Sequence, residues 1–518
     1  MCYAKWSQVS MHLTNGMTHS CYHPPTHKVP LEELEKNITA LHNTEEKKEQ
    51  RRLMLKGERP DGCSYCWNIE DQGDRSDRIY RSGEYWAQES RQDIMDAGAS
   101  GNINPRYVEV NFNQACNFKC SYCSPHLSTA WQEEIDEHGE YPTVAPHNNV
   151  DSLRNKNLMP LRVAQDDNPY VTAFWKWWPD MYKTLRVFRM TGGEPLMDKN
   201  TFKVMEYVLE TPNKDLELSI TTNMCPVNQV LFERFMTLIK QLDNVEHSAE
   251  VYVPDPHDGT DWQTWDHYIV GADSKRYHSS ELPSIEREEI KQTFLQIGQC
   301  EEQGDNSYTY EYKYNDKAYH NFSVFVSLDG WGPQAEYIRH GMDFDQVWSN
   351  VNRFLDETHH TSINFINTFN CLSLPSLREF LEGILELRKK WNKSIQYALG
   401  WEVPEQRIWF DIPLLRNPAW QSIQILPDDY QEYLLEAIDF MEQNKANEEF
   451  VDYEGFKDFE IEKVKRNLEH MKKQLSKDKL LRDRADFSKF FSEHDLSLIH
   501  ISEPTRQAEI SYAVFCLK

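Results

Sequence analysis

Strand-like runs at residues 107–113, 185–190, 219–223, 325–330 and 363–370 each end in a loop of cysteine, glycine or small polar residues. Between them, residues 200–210, 228–242, 344–358 and 374–391 repeat apolar side chains at helical spacing. Two strands can lie parallel only if a crossover of a dozen or more residues separates them, and a helix is the usual crossover. The alternation therefore predicts an α/β fold built of parallel βαβ units.

The first of these runs leads into Cys116, Cys120 and Cys123, three thiols in C-x-x-x-C-x-x-C spacing with Tyr122 before the last. A closed structural zinc site takes four protein ligands, whereas a [4Fe-4S] cluster on three thiolates leaves one iron open to a small molecule. A zinc site completed by His126 is the alternative these residues leave open. The second run opens into Thr191-Gly192-Gly193-Glu194-Pro195, where two glycines allow close backbone approach beside a carboxylate. Alone, such a segment is an ordinary turn.

Together, in this order, the two motifs resemble those of the radical S-adenosylmethionine (SAM) enzymes. The resemblance implies that Cys116, Cys120 and Cys123 hold the catalytic cluster, that SAM chelates its open iron, and that Gly192, Gly193, Glu194 and Pro195 contact the methionine amino group, with Tyr122 beside the cofactor. It also implies cofactor contacts from Ser219, Thr221 and Asn223, from Ser327 and Asp329 towards the ribose, and from Arg339 to the ligand carboxylate. A strand-end turn and a solvated charge are the plainer reading of Ser327, Asp329 and Arg339. The implied fold is a partial (β/α)6 barrel over residues 101–400, with 363–370 as its sixth strand.

A second set, Cys2, Cys21, Cys63 and Cys66, lies within residues 1–100. Its flanks resemble the twitch or SPASM domains that hold auxiliary [4Fe-4S] clusters, placed here before the barrel. A zinc ribbon uses the same four thiolates, and His19, His23 or His27 is an alternative ligand to Cys2. Cys225 and Cys371 read as free buried thiols. Cys300 lies in an insertion, 248–320, that is rich in acid, Tyr and Trp and reads as a lid, a docking element or a solvated excursion.

Residues 401–495 read as mainly helical, with Phe456, Phe459, Val464, Leu468, Met471 and Leu475 on one face. Residues 496–518 match, in frame, the translation of a transposase sequencing adapter, and are expected not to be native. The formal net charge of −27 argues against a nucleic-acid partner. No run of apolar residues is long enough to span a membrane and no secretory signal is visible, so a cytoplasmic location is expected, with reduced cysteines. The resemblance implies reductive cleavage of SAM to a 5′-deoxyadenosyl radical that takes hydrogen from a substrate. A peptide or protein side chain is the expected substrate, and a reductase or a ferredoxin- or flavodoxin-type protein the electron donor. A sugar, nucleotide or other small metabolite is the alternative substrate. A zinc-stabilised binding protein without turnover is the alternative of another class.

Overall fold

The computed structural model describes residues 1–499 except 214, 244–246, 255–267, 271–275, 279–298, 304–306, 315–321, 359–360, 393, 397–401, 405 and 448–453. Most of the adapter-like segment and much of the insertion therefore lie outside the described residues. Side chains are described outside 244–321, 393–405, 448–453 and 498–499.

In chain order the strands are β1 (Gln8–His12), β2 (Met17–His19), β3 (His27–Lys28), β4 (Tyr107–Asn111), β5 (Lys119–Cys120), β6 (Val187–Thr191) and β7 (Glu217–Thr222). The insertion carries β8 (His247–Pro254), β9 (Tyr268–Val270), β10 (Arg276–His278), β11 (Gln299–Gln303) and β12 (Ser307–Tyr314). After it come β13 (Phe322–Ser327), β14 (Arg339–His340), β15 (Ser362–Ile366), β16 (Ser394–Gln396), β17 (Glu402–Pro404) and β18 (Ile408–Asp411). The principal sheet runs β18-β15-β13-β7-β6-β4-β1-β2-β3. Every pairing from β1 to β18 is parallel, and β2 and β3 add antiparallel to the β1 edge. The insertion strands form a separate antiparallel sheet, β10-β9-β8-β12-β11; Cys300 lies on β11, and its side chain is outside the described set.

Alternation along the parallel strands sorts their side chains. In β13, Phe322, Val324 and Val326 are buried under the helices, while Ser323, Phe325 and Ser327 are half-buried on the opposite face. The helices supply the matching stripe: in Leu377–Trp391, Leu377, Phe380, Leu381, Ile384 and Leu387 are buried. Asp343 caps Phe344–Glu357, Asp198 caps Lys199–Glu210 and Ser128 caps Thr129–His138, each side chain accepting a free backbone N–H of the first turn.

The structure differs from the sequence expectations at three places. Residues 1–100 are not set apart from the sheet, because β1 pairs with β4 from Gln8↔Tyr107 to His12↔Asn111. A smaller core of Trp6, Met54, Trp86, Ile94 and Ile103 does gather around Cys2 and Cys63. The run at 363–370 supplies the fifth parallel strand counted from β4, and the sixth is β18, inside the stretch read as helical. Four residues are too few for periodicity to reveal a strand. Finally, the helix predicted across 456–475 is Asp458–Lys472, in which Ile461, Val464, Leu468 and Met471 are buried and Phe459 is exposed. A buried Arg388–Glu460 ion pair, 2.6 Å, ties this helix to Leu377–Trp391.

Candidate active site at the carboxyl ends of the strands

A cleft of about 250 Å³ opens where β4, β6, β7, β13 and β15 end. Its wall includes Cys116, Cys120, Cys123, Tyr122, Gly192, Gly193, Glu194, Thr221, Asn223, Ser327 and Arg339, so most of the residues singled out from sequence meet at one place. Pro195 is buried at the start of the turn Pro195–Met197. Ser219 points into a different part of the lumen. Asp329 is fully buried behind the cleft wall.

The cysteine loop is held by its neighbours. Cys116 N–H donates to Thr129 Oγ1 at 3.1 Å, Thr129 returns a bond to Cys116 O at 3.0 Å, and Trp131 Nε1 donates to Cys120 O at 2.8 Å. The short pairing of β5 with β14 sets Arg339 opposite Cys120. The glycines are required by the same loop. A Cβ on Gly193 would lie 2.3 Å from Ala115 O, and one on Gly192, at φ +136°, 2.8 Å from Asn111 Oδ1. Their closeness lets Glu194 N–H donate to Ala115 O at 2.6 Å, locking the two motifs together.

Glu194 is buried, and its carboxylate accepts from Thr222 Oγ1 at 2.6 Å, Asn223 N at 2.7 Å and Leu196 N at 2.9 Å. Burial outweighs these bonds and pushes its carboxyl up to about 7. Behind it, Tyr122 donates to Asp329 Oδ2 at 2.6 Å and accepts from Arg339 Nη2 at 2.6 Å. Arg339 Nε lies 2.7 Å from Asp329 Oδ2 as an ion pair, although that N–H is not aligned for a hydrogen bond. Asp329 also accepts from Thr368 N at 2.7 Å. Thus Asp329 and Arg339 are not a solvated charge. Their first partners are each other and Tyr122, so Asp329 stands behind the cleft wall in an ion pair and not as a surface turn residue. Thr191 and Thr368 also line the cleft; sequence reasoning passed over them because a threonine at a strand end has no distinguishing signal.

The residues fit a thiolate-bound cluster. Burial pushes the Cys116 thiol up to about 12 and raises Cys120 and Cys123 as well, so metal-free thiols stay protonated and a bound metal would hold them as thiolates. Phe118 N–H and Arg339 Nη1 already point at the sulfurs of Cys116 and Cys120, at 3.4 and 3.5 Å. His126, the alternative ligand, has Nδ1 bonded to Ser124 Oγ at 2.5 Å and is not on the cleft wall. Among the described residues no three acidic, histidine or cysteine side chains are gathered to chelate a single ion. The common cleft is the stronger guide here, because a four-iron cube spreads its thiolates over a larger body than one ion does.

Cys2, Cys21, Cys63 and Cys66 also face one cavity, with Lys5, Arg78 and Arg81 on its wall. The histidine alternatives are engaged elsewhere: His19 with His12 at 3.2 Å, His23 with Asp77 at 2.5 Å, and His27 with Thr44 at 2.8 Å. Close by, Lys47 is buried with its Nζ on Gln8 O at 3.0 Å and His42 Nδ1 at 2.7 Å, and Arg51 is buried on Lys5 O and Asn43 Oδ1. Neither forms an ion pair among the described residues. Burial drives the Lys47 ammonium well down and the Arg51 guanidinium to about 9. Uncompensated buried cations are costly, and a group of four thiolates with net negative charge would offset them. Cys371 is buried and Cys225 half-buried, both as free thiols.

No protein-family model matches the chain. Among curated proteins it is similar to the GTP 3′,8-cyclase of Sulfurimonas denitrificans, 25% identical over 117 residues, covering 23% of this chain and 27% of the relative. It is also similar to the GTP 3′,8-cyclase of Trichormus variabilis, 23% identical over 193 residues, covering 36% of this chain and 50% of the relative. The chain thus spans half or less of the length of these relatives. Among solved structures, Streptococcus suis SuiB bound to S-adenosylmethionine superposes with a TM-score of 0.33 at 11% identity, covering 85% of this chain and 70% of that one. Native anSMEcpe with bound AdoMet gives 0.29 at 12%, covering 65% and 60%. Likeness at those scores carries no argument. The partial sequence match is thus to enzymes, the GTP 3′,8-cyclases.

Proposed function

We propose that this chain is a radical SAM enzyme that removes a hydrogen atom from a peptide or protein side chain, within a partial (β/α)6 barrel whose sheet is continued at its amino-terminal edge by a twitch-like region. The observation that carries the reading is the convergence of three thiols, and no fourth among the described residues, on a cleft walled by the Gly192-Gly193-Glu194 turn. Held by Cys116, Cys120 and Cys123, a reduced cluster would supply one-electron chemistry, the reductive cleavage of SAM that enables hydrogen abstraction from an unactivated carbon.

The chain's own residues bind and orient. Gly192 and Gly193 let backbone groups approach the ligand without a Cβ in the way. Glu194 keeps accepting capacity beyond its three bonds, and an ammonium group arriving there would return it to the ionised state that burial opposes. Asn223, Thr221 and Ser327 present polar groups for the nucleoside and carboxylate ends of SAM. Arg339, neutralised by Asp329, donates towards Cys120 and so favours its thiolate. Lys47 and Arg51 support an auxiliary four-thiolate cluster at Cys2, Cys21, Cys63 and Cys66. Electrons would come from a reductase or a ferredoxin- or flavodoxin-type donor in the cytoplasm.

The sequence match to GTP 3′,8-cyclases favours a second reading of the substrate, a nucleotide. The class is tested before the substrate: anaerobically reconstituted, reduced protein is incubated with SAM and assayed for 5′-deoxyadenosine. Wild type forms it, and Cys120→Ala falls by about a hundredfold or more with loss of iron. An iron-loaded wild type that forms none would sink the proposal.

A further inference from the structure

Towards the amino ends of the same strands the lumen widens into a chamber of about 410 Å³, lined among others by Arg81, Tyr85, Tyr107, Arg189, Ser219 and Phe325. Its floor comes from outside the sheet, since Arg81 and Tyr85 lie on the short helices Asp77–Gly83 and Tyr85–Glu89. Arg189, at the middle of β6, stands between chamber and cleft. Its Nε and Nη2 donate to Thr221 Oγ1 at 3.1 and 3.0 Å, and Thr221 also lines the cleft above. The guanidinium lies 3.9 Å from the centroid of the Phe325 ring.

This charge has no ion-pair partner among the described residues. Glu109 lies near enough for Arg189 and Arg81 to act on it electrostatically, but it makes no ion pair with either; burial outweighs them and raises its carboxyl above the ordinary range, and the hydrogen bond it accepts comes from the Tyr22 hydroxyl at 3.4 Å. Glu217 is taken by the Tyr85 hydroxyl, and Glu84 sits 3.8 Å from Arg81. Arg189 is therefore fixed by a hydroxyl and a ring face, both neutral, and its Nη1 makes no hydrogen bond to the described residues. A guanidinium held rigid with one edge open matches a carboxylate or phosphate.

We propose that Arg189 is a positioning residue that anchors an oxyanion of the substrate, carboxylate or phosphate, in the lower chamber, with Arg81 assisting from the floor. The anchor deepens the reading of the cleft as a radical SAM site, on which it rests, by stating what the substrate must carry. A group held on Arg189 leaves the rest of the substrate directly beneath the cleft.

The test uses reconstituted, unreduced holoprotein and two matched pairs of probes: acetyl-Ala-Glu-Ala-amide against acetyl-Ala-Gln-Ala-amide, and GTP against guanosine, with affinities by titration calorimetry. In at least one pair the charged member binds about tenfold tighter, Arg189→Gln abolishes that preference, and Arg189→Lys keeps part of it. Preference within the peptide pair supports a peptide substrate as well. Preference within the nucleotide pair alone keeps the anchor and overturns the peptide reading. No preference in either pair, or a folded Arg189→Gln variant that keeps the wild-type preference, overturns the anchor. Should Arg189→Gln not fold, Arg81→Gln decides: a loss of about threefold or more in the preference supports the proposal, and an unchanged preference overturns it. Formation of 5′-deoxyadenosine by the same preparation reports on the cleft separately, so an intact oxyanion preference without it sinks the activity alone.

Discussion

Glu194 illustrates how burial sets chemistry at one atom group. Its carboxyl is raised by burial to about 7 in the folded chain, against an ordinary value near 4.5. Between those values the folded state holds a proton that the unfolded chain has lost, so stability falls as pH rises through that window. The loss across it is on the order of 3 kcal/mol for the cofactor-free protein. Urea denaturation of that protein at pH 5 and pH 8 should show this slope, and Glu194→Gln should flatten it; an equal slope in both would refute the assignment. At Gly193 the constraint is steric. Alanine there puts a Cβ 2.3 Å from Ala115 O, so Gly193→Ala should cost about 1–3 kcal/mol and loosen the cysteine loop, read as a lower thermal midpoint with less iron retained. The three-thiol spacing and the glycine turn were legible as residues. Glu109 and Arg189 were not, because a charge inside a strand looks like any solvent-facing residue until distant elements pack over it.

One helix, Glu45–Leu55, shows what an element can do that its residues cannot do alone. Thr44 caps it, and Lys47 and Arg51 fall one turn apart on the buried face. Glu, Lys and Arg make up most of it. Packing against β1 turns two cations inward beside the four thiols. Lys47→Met should therefore have opposite effects in the two states of the protein. The metal-free form should gain about 1–3 kcal/mol, while the metal-loaded form should lose its metal to a chelator several-fold faster. Melting curves with and without metal, combined with chelator competition, measure both. Parallel changes in the two states would mean that Lys47 serves packing alone.

Across the whole molecule, the amino-terminal hundred residues are continuous with the sheet. Five backbone positions of β1 pair with β4, and Leu13 N–H donates to Asn111 O at 2.9 Å, next to the strand end that leads to Cys116. A chain starting at residue 101 would expose the edge of β4 along with Val108 and Val110. It should lose its cooperative melting transition altogether and not survive as a free-standing barrel, which calorimetry of that truncation checks. Full reconstitution of the intact chain should bring about eight iron atoms if both thiol sets carry four-iron clusters, and about four if only Cys116, Cys120 and Cys123 do.

Sequence by itself determined that strands alternate with helices in parallel βαβ fashion, because apolar alternation and helix-length crossovers are local patterns. It also determined the three-thiol loop and the glycine turn, whose spacing is a property of neighbouring residues. Only the tertiary structure decided that β1 joins the sheet, that β18 is its far edge, that Asp329 and Arg339 pair with each other, and that Arg189 faces a chamber shared with Arg81 and Tyr85. Each of these depends on contacts between residues tens to hundreds of positions apart, and on a burial that no short stretch of chain specifies.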